Sequence, residues 1–327
     1  MNPFKSLRVF SENDRVTTRV VEVALSELSG GEVVFQTAYS SVNYKDALAA
    51  TGAGKIIRNF PRIAGIDATG TVISSADSRF KAGDAVICTS YEFGVGHDGG
   101  FSQVCRVPAD WVVPLPAGLS LVEAATLGVA GYTAGLAVEL LELNGMAPNN
   151  GKVLVNGATG GVATLAIDML SKAGYSVVAV TGKDGEHDFL KRLGAAEVLS
   201  RHTLAMGARP LEKGLWAAAF DSVGGEQLAW LTRTMQPEGV IASFGNAGGI
   251  ELKTTVLPFI LRGVRLIGVN SGETPMSLRR KVWGRLATDL KPRHLDAIAH
   301  MITLDDLPDY FGRMLKGQIK GRAVVRL

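Results

Sequence analysis

From Lys152 to Ala163 the chain reads Lys-Val-Leu-Val-Asn-Gly-Ala-Thr-Gly-Gly-Val-Ala, an apolar strand running into a glycine-rich reversal and then a helix start. Gly157, Gly160 and Gly161 allow a sharp bend that brings backbone N–H groups against a diphosphate, and the positive end of the following helix adds to the attraction. Read against G-x-G-x-x-G, the segment has Ala158-x-Gly160-x-x-Ala163, so alanine replaces two of the glycines. The continuation strengthens the match, because Val162, Leu165, Ala166, Met169 and Leu170 recur at the spacing of one apolar helix face. A tight strand-to-helix turn with no ligand is the competing reading.

The surroundings favour a dinucleotide site. From Gly151 to about Val269, short apolar strands alternate with helical spacing: Lys152–Asn156, Ser176–Thr181, Ala196–Ser200, Trp216–Asp221, Val240–Phe244 and Val264–Val269. Six strands in βα alternation predict a doubly wound parallel sheet, and their continuous apolar character fits a sheet covered on both faces. Before about residue 115 the texture is β-rich, with strands expected at Arg19–Ala24, Glu32–Ser40, Gly70–Ser74, Asp84–Thr89 and Ser102–Pro108. Two prolines between Trp111 and Gly118 mark a boundary, followed by a helix from about Leu121 to Leu143. The closing run from Gly321 to Leu327 reads as a strand that returns to the first domain.

Composition removes several function classes. The 34 Lys and Arg residues against 31 Asp and Glu leave a formal charge of +3, without the concentrated basic field of a nucleic-acid binder. Cys88 and Cys105 are the only cysteines, too few for a disulfide framework, and they read as buried hydrophobes in a reducing compartment. The first fifteen residues mix charge and polarity and lack the apolar segment of a signal peptide, and the stretch from Gly118 to Val138 reads as a buried helix rather than a lipid span. A cytoplasmic enzyme that engages no membrane is expected.

The choice of nicotinamide cofactor is made at the end of the second strand, where an acidic residue would bind the ribose hydroxyls of NAD and repel a 2′-phosphate. Here the strand ends in Val180-Thr-Gly-Lys183, and Arg201 follows the third strand; Asp184 is the competing candidate. A hydroxyl, a permissive backbone and two cations point to NADPH.

At this point the chain resembles a known family. The Val155–Ala163 motif, the stretch Ser41-Val-Asn-Tyr-Lys-Asp46 and the closing Gln318-Ile-Lys-Gly-Arg322 are similar to medium-chain dehydrogenase/reductases of the quinone-oxidoreductase type. Tyr91 to Phe101, Val107 to Val113 and Thr254 to Arg262 resemble its YhdH/AcuI branch, the acryloyl-CoA reductases. The resemblance implies an α/β protein with a GroES-like β-rich catalytic domain over residues 1–120 and 298–327, a Rossmann domain over 121–297, NADPH dependence and a homodimer. It implies cofactor contacts at Tyr44, Thr159, Gly160, Gly161, Val162, Thr181, Gly182, Lys183, Arg201 and Asn246, beside the Gly157 bend. Lys183 stands where near relatives have arginine, which keeps the charge and loses the bidentate fork.

Zinc members of this superfamily bind metal through a cysteine and a Gly-His-Glu motif. The matching segments here are Asn43-Tyr-Lys-Asp46 and Gly65-Ile-Asp67, with neither thiol nor imidazole, so no zinc site is expected; His97 is a loop or core residue. Without a metal, reduction of an activated double bond is the natural chemistry: hydride adds at the β-carbon, charge develops on the carbonyl oxygen, and a proton adds at the α-carbon. Tyr44 is the first candidate for hydrogen-bonding that oxygen, with packing against cofactor or substrate as its alternative role; Asn43 and Lys45 are candidate orienting groups. Asp46 and Asp67 read as loop-holding carboxylates. A CoA thioester brings phosphates, and Lys55, Arg58 and Arg62, with Arg279, Arg280, Lys281 and Arg285, are the candidate basic rims, each read in the first instance as a solvated face. Three readings follow: an enoyl-CoA reductase, a quinone or enone reductase, and a non-catalytic NADPH-binding protein.

Overall fold

β-Branched and polar residues alternate from the start of the chain and pair with themselves. In the computed structural model, which describes residues 2 to 13 and 15 to 327, β1 (Phe4–Glu12) runs antiparallel to β2 (Arg15–Val23). The sequence placed a strand at Arg19–Ala24 and none before it. The polar look of β1 hides burial on both its faces: Leu7 and Val9 lie in one core cluster and Phe4 in another, and the buried Ser6 hydroxyl meets that of Ser102 at 2.7 Å. Then follow β3 (Val33–Ser41), α1 (Tyr44–Thr51), β4 (Arg62–Ile63), β5 (Asp67–Ser75), β6 (Ala85–Thr89), β7 (Val104–Val107) and β8 (Val112–Pro114). The expected strands in this region are present with shifted ends.

α2 (Leu121–Leu143) has the bounds that the sequence predicted and a break in its helical backbone at Gly128, where φ is 47° and ψ −148°. The helix is long and apolar enough to cross a membrane by length and composition, yet most of it is buried within the protein, as expected of a core helix. Beyond it, β9 (Lys152–Val155), α3 (Gly161–Lys172), β10 (Ser176–Thr181), α4 (His187–Arg192), β11 (Glu197–Ser200), β12 (Trp216–Asp221), α5 (Gly225–Thr234), β13 (Met235–Ser243), α6 (Leu257–Arg262) and β14 (Arg265–Gly268) form the expected alternation. The six strands pair in parallel in the order β11-β10-β9-β12-β13-β14, a doubly wound sheet. Leu165, Ala166, Met169 and Leu170 of α3 are buried as expected, but so is every residue from Ala163 to Leu170, so the helix is enclosed on more than the one face that their spacing marked.

α7 (Met276–Leu286), α8 (Leu295–Ile298), β15 (Ala299–Ile302), α9 (Leu307–Leu315) and β16 (Arg322–Arg326) complete the chain. β16 pairs antiparallel with β3, so the C-terminal strand does return to the first domain. It joins the seven-stranded sheet β15-β16-β3-β5-β6-β8, with β7 also on β3; β2-β1-β4 is a separate small sheet. The chain divides into two compact units. The chain up to Ala130, Gly272–Lys281 and Leu295–Leu327 make the first; Gly131–Ser271 and Val282–His294 make the second.

Candidate active site

The second unit carries the nucleotide-binding geometry. All strands of its sheet end on one edge, and the order reverses between β9 and β12, where a ligand crevice forms in sheets of this kind. At that edge Gly157 has φ +56°, and a Cβ on it would lie 2.3 Å from the Ser222 hydroxyl, so the bend needs glycine twice over. Gly160 donates its N–H to the Gly157 carbonyl at 2.8 Å and stands at the N-cap of α3, where no side chain caps the helix. The first-turn N–H groups of Gly161 and Val162 are thereby left to an anion.

Behind the bend lies a buried network that strand periodicity did not reveal. The Asn156 amide donates to Asp221 Oδ1 at 2.6 Å and its Oδ1 accepts the Ser222 N–H at 2.7 Å. Asp221 also accepts the Gly224 N–H at 3.0 Å and the Ser243 hydroxyl at 3.0 Å. These bonds fasten the ends of β9, β12 and β13 around the crevice. The available signal was a polar residue closing each of three apolar strands.

At the end of β10, Lys183 donates its N–H to Thr181 Oγ1 at 3.0 Å, and Arg201 donates its N–H to the Thr181 carbonyl at 2.7 Å. The Arg201 guanidinium lies over Gly182 so closely that a Cβ there would stand 2.8 Å from its Cζ. Thr181, Gly182, Lys183 and Arg201 thus meet where β10 and β11 end, while Asp184 is exposed beside them. Asn246 is exposed in the loop after β13. The double substitution Lys183→Ala, Arg201→Ala is expected to weaken NADPH binding by more than about tenfold and leave NADH binding little changed. Fluorescence titration with both coenzymes checks it, and an unaltered NADPH-to-NADH ratio contradicts it.

The first unit holds the other predicted residues. Asn43 is the N-cap of α1, so Tyr44 and Lys45 open the helix, and both are exposed. Asn43 points inward: its Nδ2 donates to Asp67 Oδ2 at 2.9 Å and to Asp46 Oδ2 at 3.1 Å. Asp46 accepts the Asn43 N–H at 2.8 Å and the Ile66 N–H at 3.0 Å, and Asp67 accepts the Ser41 N–H at 2.7 Å and the Val129 N–H at 3.1 Å. Both aspartates hold loops through backbone N–H groups, as the sequence suggested. Burial, reinforced by the nearby Asp67, pushes the Asp46 carboxyl up to about 7 against the pull of its hydrogen bonds.

The positive charge in this cluster is Arg322, which is buried. Its Nη1 donates to the Val42 carbonyl at 2.8 Å and to Asn43 Oδ1 at 3.1 Å; its Nε donates to the Thr126 carbonyl at 3.1 Å; its Nη2 donates to Ser41 Oγ and lies 3.7 Å from Asp67 Oδ2. Burial pulls the guanidinium below the usual arginine range, opposed by Asp67. The sequence marked Arg322 only as part of a motif, and the available signal was a charge inside an apolar terminal strand. Gly128 faces the same cluster: a Cβ there would lie 2.5 Å from Asp67 Oδ2 and from Ser41 Oγ.

These residues do not fit zinc. The carboxylates are occupied by N–H donors, and a guanidinium already stands where a cation would. Burial pushes the Cys105 thiol up to about 12 and raises the Cys88 thiol too, and both cysteines are free. Among the described residues no group of three His, Cys, Asp or Glu side chains is arranged for a metal. His97 is a core histidine, its ring nitrogens against the carbonyl oxygens of Asp98 at 2.9 Å and Gly30 at 2.8 Å. The reading of Arg279 and Arg285 as a solvated face is corrected. Arg279 is fully buried and donates to Thr89 Oγ1 at 2.9 Å, with its guanidinium 4.4 Å from the Tyr91 ring centre. Arg285 binds Glu139 at 2.9 Å, Glu142 at 2.7 Å and Asp289 at 2.7 Å.

Comparison with known proteins agrees with this anatomy. Residues 29–117 match the alcohol dehydrogenase GroES-like domain, and residues 161–288 match the family model described as zinc-binding dehydrogenase. YhfP of Bacillus subtilis, named as a quinone oxidoreductase, is 48% identical over 99% of both chains. Its crystal structure, with NAD bound, superposes with a TM-score of 0.97 over 100% of both chains. The acrylyl-CoA reductase AcuI of Ruegeria pomeroyi is 44% identical over 96% of both chains. The YhdH oxidoreductase of Salmonella enterica, solved in complex with NADP, is 46% identical with a TM-score of 0.96 over 99% of both chains.

Proposed function

The chain belongs to the medium-chain dehydrogenase/reductase family, in the branch that holds YhfP and AcuI, and is an NADPH-dependent oxidoreductase; from that premise we propose that it reduces the C=C bond of an α,β-unsaturated acyl thioester, acryloyl-CoA to propionyl-CoA. The observation that carries this reading is the exposed phenol of Tyr44 at the start of a helix whose N-cap is held by a charge cluster in which N–H donors and a guanidinium already occupy the carboxylates.

NADPH, when bound, supplies the hydride. The Gly157–Gly161 bend and the uncapped start of α3 hold the diphosphate, and Lys183 and Arg201 hold the 2′-phosphate. Tyr44 donates a hydrogen bond to the thioester oxygen as negative charge builds there, the part that a Lewis acid plays in metal enzymes. Asn43 acts as an orienting group from behind, because its amide is engaged by Asp46, Asp67 and Arg322. Lys45, exposed next to Tyr44, adds positive charge beside the developing anion.

A quinone or enone reductase is the second reading, supported by the name that YhfP carries. A cytoplasmic homodimer belongs to the first. Both cysteines are free thiols, as in reducing compartments, and β14 is an open sheet edge flanked by exposed Val256, Ile260 and Leu261. Following NADPH absorbance with acryloyl-CoA, with a naphthoquinone and with no acceptor tests the choice. Oxidation with acryloyl-CoA is expected. Oxidation with the quinone alone reverses the two readings, and none with any acceptor makes the protein a nucleotide binder without catalysis.

A further inference from the structure

The structure sorts the basic residues that the sequence singled out. Arg62 is half-buried against the Ser29 hydroxyl at 2.8 Å and Asp98 at 3.3 Å. Arg279 and Arg285 are engaged as described above. Lys55, Arg58 and Arg280 differ: all three are exposed, and among the described residues none makes an ion pair or a hydrogen bond; Arg280 lies on α7, while Lys55 and Arg58 share one loop.

Their setting is built. From Ala47 to Ile66 the chain contains no Asp or Glu. It turns at Gly52, where φ is +73°, and folds back on α1 through a bond from the Gly54 N–H to the Leu48 carbonyl at 3.2 Å. Ile57 is buried in the same core cluster as Ala47, Ala49 and Ala50 of α1, with Ile56 packed beside it. That anchor leaves the flanking Lys55 and Arg58 on the surface of a loop that follows the helix opened by Tyr44 and folds back against it.

We propose that Lys55 and Arg58 bind the phosphates of the coenzyme A half of the substrate, making the 52–60 loop the determinant that selects CoA thioesters over acceptors without phosphate. The inference rests on the enoyl-thioester reading and deepens it. Two dispersed cations on an acid-free loop match an anion carrying a diphosphate and a 3′-phosphate, and charge-assisted contacts of this kind weaken as salt rises.

The test compares kcat/KM for acryloyl-CoA with that for acryloyl-pantetheine, which lacks the phosphates. In the wild-type enzyme the CoA ester is preferred, and the preference shrinks with ionic strength. Lys55→Ala and Arg58→Ala are each expected to lower it by about tenfold, through KM rather than kcat. Arg280→Ala, an exposed cation elsewhere in the same unit, serves as the control. Titration with free coenzyme A and its 3′-dephospho form gives a readout independent of turnover, and both substitutions are expected to weaken binding of the former. If the wild-type enzyme reduces the two thioesters equally well, or the variants keep the wild-type preference, the phosphate site is wrong and the reductase reading stands. If neither thioester is reduced, both fall together.

Discussion

Replacing Arg322 by Met is expected to destabilise the first unit by about 3–5 kcal/mol, because it removes one partner of a buried ionic cluster and leaves the other uncompensated. The guanidinium donates to the Val42 and Thr126 carbonyls, to Asn43 Oδ1 and to Ser41 Oγ, and it lies 3.7 Å from Asp67. Methionine fills similar space and satisfies none of them. The loss has a pH signature. Folding raises the Asp46 carboxyl from 3.8 to about 7, so between these values the native state holds the proton that the unfolded chain releases. Stability therefore falls as pH rises through that window and levels off above about 7. Without Arg322 the burial of two ionised carboxylates is less well compensated, so the decline extends to higher pH in the variant. Urea titrations from pH 5 to 9 check both parts. A loss below about 1 kcal/mol, or a pH profile parallel to the wild type, contradicts the role given to Arg322. Adding Asp67→Asn should recover part of the loss, since the cluster then carries one fewer uncompensated charge.

Removal of the Tyr44 hydroxyl is expected to lower kcat by about a hundredfold, the low end of what a positioned proton or hydrogen-bond donor contributes. Tyr44→Phe should leave NADPH affinity near wild type and stability within about 0.5 kcal/mol, because the side chain is 45% exposed and its hydroxyl has no hydrogen-bond partner among the described residues. Steady-state kinetics with acryloyl-CoA, coenzyme titration and thermal melting together separate the chemical role from mere packing. Full turnover in the phenylalanine variant removes the donor role and leaves Tyr44 as a packing surface.

The candidate residues of the two units differed in how far they could be read in advance. Gly157, Gly160 and Gly161 were legible because a strand, a bend and a helix start lie within a dozen consecutive residues, and each part carries its own local pattern. That Lys183 and Arg201 lie near each other was legible because the ends of adjacent parallel strands share one sheet edge. Asn43 and Asp46 were visible as a polar cluster, while their partner Arg322 lies 279 residues away from Asn43 in the chain.

What the sequence determined by itself was the alternation that makes a parallel six-stranded sheet, the glycine bend on its first strand, the apolar face of α3 and the return of the last strand to the first domain. All are set by the periodicity and conformational limits of short segments. Tertiary structure alone decided that β1 pairs with β2, that Asn156, Asp221 and Ser243 lock three strand ends, that Arg279 is buried, and that Arg322 neutralises Asp67 beside a carboxyl raised to about 7. A buried charge takes its partner from whichever strands the fold sets next to it, and its ionisation follows from the depth at which they enclose it. Neither quantity is a property of the residues adjacent to it in sequence.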